Sequence, residues 1–79
     1  MNEKIELFFS SPEEYEKLTI EVQLEREKIA EINQDKGTDN LEIELFGTDK
    51  AHNFIAKMPL DKLINALIKA KEEIVKDNL

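Results

Sequence analysis

Leu18-Thr19-Ile20-Glu21-Val22-Gln23-Leu24-Glu25 alternates apolar and polar side chains without a break. Successive side chains of an extended chain point to opposite faces, so the stretch reads as a half-buried β-strand. Leu18, Ile20, Val22 and Leu24 form its inward face, and Thr19, Glu21, Gln23 and Glu25 its wet one. Upstream, Ile5, Leu7 and Phe9 alternate with Glu6 and Phe8 as a first strand. Between the two, Ser11 suits an N-cap, Pro12 a first helical position, and Glu14 completes a capping box. With Tyr15, this predicts one or two helical turns over residues 12–17.

Downstream, Glu25-Arg26-Glu27-Lys28 reads as a hairpin connection. Ile29 to Gln34 follow as a third strand whose Ile29-Ala30 start leaves the inward face open. Asp35-Lys36-Gly37-Thr38-Asp39-Asn40 is a turn in which Gly37 is free to take a positive φ. Leu41, Ile43 and Leu45 alternate with Glu42 and Glu44 as a fourth strand. After a polar loop from Gly47 to Asn53, Phe54, Ala56 and Met58 predict a short fifth. Pro59 or Asp61 then opens a long helix with Leu60, Leu63, Ile64, Leu67, Ala70, Ile74 and Val75 along one stripe and Ile68 off it.

The expected fold is therefore α+β, with residues 1–79 as one domain. It is an antiparallel meander of four to five strands with one long C-terminal amphipathic helix packed on one face. A single helix covers one face only, so the other must meet water or a partner. That face should carry Glu6, Phe8, Thr19, Glu21, Gln23, Glu25, Glu42, Glu44 and Phe46, with Glu31 and Asn33 added if Ile32 points inward.

Composition narrows the function. The chain has no cysteine, which removes disulfides, thiolate metal sites and cysteine nucleophiles. The N-terminal residues lack a basic start and an apolar run, and no stretch is long enough to span a bilayer, so a cytoplasmic protein without membrane association is expected. The net charge is −7, and residues 1–40, with 11 acidic against 5 basic side chains, hold −6 of it. Such a field repels phosphate backbones and attracts basic protein surfaces, so a basic protein partner is expected and nucleic acid is not. The five aromatics sit among glutamates and not among Lys or Arg, unlike a stacking platform for single strands.

Catalytic readings are weak. Glutamates alternating on an open sheet are all wet and alike, whereas acid–base chemistry needs carboxyls in distinct environments. His52 is the sole histidine, without further nitrogen or sulfur ligands for a transition metal. The 35–42 loop lacks the acid spacing of a calcium loop, and no glycine-rich phosphate loop is present. The chain is thus read as a non-enzyme that uses no metal or cofactor.

The segment Ile32-Asn33-Gln34-Asp35-Lys36-Gly37-Thr38-Asp39-Asn40-Leu41-Glu42-Ile43-Glu44, then Leu60-Asp61 and Leu63-Ile64-Asn65-Ala66-Leu67-Ile68-Lys69-Ala70-Lys71, lie within a span of about half the chain, residues 32–71. They resemble the small acidic immunity proteins of bacterial polymorphic-toxin and contact-dependent inhibition systems. The resemblance implies a protein that binds a toxin domain, often a basic nuclease, and blocks its active site or substrate groove. It carries over no contact residue, because immunity surfaces differ from toxin to toxin. From the alternation, Glu21, Glu25, Glu42, Glu44 and Phe46 are the expected partner contacts. Alternatively, Lys4, Arg26, Lys28, Lys36 and Lys57 neutralise that face. A structural or regulatory homodimer, with sheets paired edge to edge or face to face, is the next expectation. An anionic phage-type inhibitor of a DNA-binding machine is the third.

Overall fold

A computed structural model describes residues 4–47 and 56–77. Five strands, β1 (Ile5–Ser10), β2 (Thr19–Leu24), β3 (Glu27–Asn33), β4 (Glu42–Leu45) and β5 (Ala56–Pro59), form one antiparallel sheet in sequence order. One helix, α1 (Leu60–Asp77), follows. The expected α+β meander is thus present, with five strands. His52 and the Phe54-Ile55 start expected for the fifth strand lie outside the described residues.

The β2–β3 hairpin is tighter than its sequence indicates. Leu24 faces Glu27 as the last pair, which leaves Glu25 and Arg26 alone in the turn. Both take positive φ, 49° and 75°, as a two-residue type I′ turn demands. No glycine or asparagine announces it. One step into the strands a bulge intervenes: Val22 pairs with Ala30 and Gln23 with Lys28, so Ile29 is the extra residue. The bulge settles the ambiguous start of β3. It keeps Ala30 and Ile32 on the apolar face and turns Lys28 to the polar one.

The segment between β1 and β2 is not helical. Its only backbone turn runs from the Tyr15 N–H to the Pro12 carbonyl. A long-range acceptor outcompetes the capping box. The Asp35 carboxylate receives the Glu16 and Lys17 N–H groups at 3.0 and 3.1 Å. Gln34 donates to the Leu18 carbonyl at 2.8 Å. Those bonds tie this connection to the 34–40 turn, where Gly37 takes φ 98° as expected.

The position of α1 departs from expectation. β5 passes into the helix with no intervening residue, and the Leu60 N–H still bonds the Leu41 carbonyl at the sheet's end. Without a loop to reverse direction, the helix runs on from the sheet and meets it chiefly at β5. It does not cover a face, and none of its residues is buried. The chain measures 47 × 30 × 23 Å. An 18-residue helix of about 27 Å and a six-residue strand of about 20 Å span that length only nearly end to end. The radius of gyration, 14.4 Å, exceeds the roughly 11.6 Å of a compact chain this size.

Burial is consequently reversed from the expected pattern. Among the described residues, the buried apolar side chains are Ala30 and Ile43 alone, whereas Leu7 is 66% and Phe9 76% exposed. The buried polar residues are Thr19, Glu31 and Asn33, all on the face expected to be wet. Ile68, expected as a stray, is one of several exposed apolar residues on α1 with Ile64, Leu67 and Val75.

Candidate protein-binding site

The antiparallel register lays the polar face out in rows across the sheet. One row is Phe8, Glu21, Glu31, Glu44 and Lys57, one residue from each strand. Three carboxylates therefore stand side by side on β2, β3 and β4. Each directly opposed like-charge pair costs from a few tenths to about 1 kcal/mol. The next row is Ser10, Thr19, Asn33, Glu42 and Pro59.

The central carboxylate is buried and well supported. Glu31, 3% exposed, accepts a hydrogen bond from the Thr19 hydroxyl at 2.6 Å and one from Lys28 at 2.9 Å. A buried charge is tolerable when paired and hydrogen-bonded in this way. The expectation of equally wet, equivalent glutamates therefore fails. Glu31 is held in the interior, Glu21 is half-exposed and takes a bond from Gln23 at 2.9 Å, and Glu25 stands exposed on the turn.

Glu44 differs from both. Lys57 is its partner in register, yet the ammonium leans away, to 3.8 Å from Glu42 and 5.5 Å from the Tyr15 ring centroid. The buried Oε1 of Glu44 is left without a hydrogen-bond partner. Glu44 borders a hollow of about 190 Å³ lined also by Glu14, Tyr15, Lys28, Glu31 and Phe46. Ligand pockets run from about 300 Å³ upward, so this one suits a single side chain better than a free metabolite. Lys28 already shows the recognition chemistry such walls offer: its ammonium bonds Glu31 and lies 4.6 Å from the Phe46 ring centroid.

The five expected contacts are not one patch. Glu21, Glu44 and Phe46 gather around Glu31 and the hollow. Glu25 sits on the turn at one end of the strands, beside Lys4, Glu6 and Arg26. Glu42 lies toward the other end and is already engaged by Lys36 at 3.1 Å and Lys57 at 3.8 Å. The Lys36 hydrogen bond holds its carboxyl below the ordinary range against partial desolvation, with the charges of Lys36 and Lys57 and the nearby Asn33 amide assisting. Asn33 Nδ2 itself does not reach full hydrogen-bond geometry. Lys4, Lys28, Lys36 and Lys57 all form ion pairs on this face, so neutralisation is substantial but stops short of Glu44 Oε1.

Tyr15, Glu14 and Lys28 belong to the hollow and were not among the expected contacts. Only the folding of the 11–18 connection and the β3 bulge bring them there. Among the described residues, no group of three or more acidic or histidine side chains is placed to hold a metal, and no helix is long and apolar enough to cross a membrane. Comparison with protein-family models, with curated proteins and with solved structures finds no match, so the reading of this site rests on its geometry.

Proposed function

We propose that this chain is a protein-binding inhibitor of the immunity type, acting in the cytoplasm. It neutralises a basic, nuclease-like toxin domain by occluding its active site or substrate groove. One observation carries the reading: in the row Glu21–Glu31–Glu44, Glu44 keeps a buried oxygen without a partner beside a hollow walled by Tyr15 and Phe46. A Lys or Arg side chain from a partner meets there the carboxylate charges of Glu44 and Glu31 beside Tyr15 and Phe46. The net charge of −7 steers a basic partner toward it, chiefly through the association rate.

The test is a tagged pull-down from the source organism with rising salt, identifying what elutes, for the wild type and a Glu21→Lys/Glu44→Gln variant. A basic protein recovered by the wild type, released by salt and lost from the variant, is the expected result. Equal recovery by both would remove this face from the binding site.

A further inference from the structure

We infer that the chain associates with a second copy of itself by exchanging helices, each α1 lying across the apolar sheet face of the other. The inference stands on different residues from the inhibitory reading and does not depend on it.

Area provides the first ground. A compact 9.2 kDa monomer exposes about 4,900 Å² by the scaling of folded proteins. This chain exposes 6602 Å². The surplus of about 1,700 Å² per chain gives roughly 3,400 Å² for two, inside the 2,000–5,000 Å² range of obligate homodimers. Among the described residues only Ala30 and Ile43 are buried apolar side chains, so this part of an isolated chain holds very little core.

Complementarity provides the second. Two apolar surfaces stand open on one chain: Ile5, Leu7 and Phe9 on the sheet, and Ile64, Leu67, Ile68 and Val75 along α1. A helix on a sheet is the ordinary way to close such surfaces. Its own helix cannot do so, because β5 enters α1 without a loop and the Leu60 N–H is pinned to Leu41. A two-fold arrangement satisfies both surfaces twice, and exchange of an identical element is a low-cost route to it. The helix, about 27 Å long, spans the roughly 20–24 Å width of five strands spaced about 4.8 Å apart. The polar face and its hollow stay outward.

The test uses the full chain. Sedimentation should give twice 9.2 kDa, with dissociation on dilution. Leu7→Glu on the sheet and Leu67→Glu on the helix should each raise the dissociation constant at least roughly 30-fold, equivalent to about 2 kcal/mol. Because either variant can unfold, the wild type is also studied by isotope-filtered NMR on mixed labelled and unlabelled copies. Contacts between Leu67 or Ile68 methyls of one copy and Leu7 or Phe9 of the other are expected. A mass of 9.2 kDa at the highest attainable concentration overturns the inference. So does a dimer whose helix methyls meet only their own sheet, or whose cross-copy contacts join β1 edges.

Discussion

Replacing Glu25 with Asn and Arg26 with Gly should make this protein more stable. Both residues occupy left-handed backbone, at φ 49° and 75°. For a side chain with a Cβ that conformation costs about 1–2 kcal/mol, and least for Asn and Gly. Arg26→Gly removes the larger strain, less about 0.5–1 kcal/mol for the added freedom of glycine in the unfolded chain. Glu25→Asn adds a few tenths, for a net gain of about 1 kcal/mol. The bond from the Glu25 N–H to the Lys4 carbonyl uses the backbone alone and survives. One acid and one base leave together, so the net charge of −7 is unchanged and electrostatics do not confuse the comparison.

In a domain of this size, 1 kcal/mol moves Tm by about 4–8 °C. Thermal denaturation should be followed at one fixed protein concentration, since the self-association proposed above would make Tm concentration-dependent. Arg26→Ala is the control: it shortens the side chain but keeps the Cβ and should gain nothing comparable. A double variant no more stable than the wild type, or an Arg26→Ala that gains as much, would refute the assignment of strain to this turn.

Thr19→Val should cost about 1–3 kcal/mol in urea denaturation, because it strips the hydroxyl from a carboxylate that is largely shielded from water, whereas Thr19→Ser should recover most of the loss. Glu42 provides a pH test. Its folded pKa lies below the ordinary 4.5, so its contribution to stability is complete above that value and is lost as pH falls through the depressed folded one. Lys36→Met should flatten that acid limb in denaturation curves taken at successive pH values. An unaltered limb would mean that the Lys36 contact does not hold the carboxyl charged.

Much of the site was legible from alternation alone. Glu21, Glu44 and Phe46 share a face because side chains repeat every second residue; the structure sets Glu44 and Phe46 on the wall of one hollow and Glu21 beside its Glu31. Glu25 and Glu42 share the period but stand toward opposite ends of the strands, a separation that depends on register. Lys28 was hidden because a bulge breaks the period at Ile29. Tyr15 was hidden because its place depends on Asp35, 18 and 19 residues from the amides it captures.

The sequence by itself determined the five strands, the C-terminal helix and their order, though not the non-helical path of residues 12–17. Two-residue alternation is a property of each strand alone, and short connections force neighbours in sequence to be neighbours in the sheet. Only the tertiary structure decided which face is covered. The apolar face was expected to lie beneath the helix and the acidic face in water. The 11–18 connection instead lies against the polar face, burying Thr19, Glu31 and Asn33, while α1 projects away and leaves Leu7 and Phe9 open. Amphipathicity tells which side of a helix seeks a partner. It does not tell where that partner is, and here the answer turns on a strand that becomes a helix without a single residue in which to turn back.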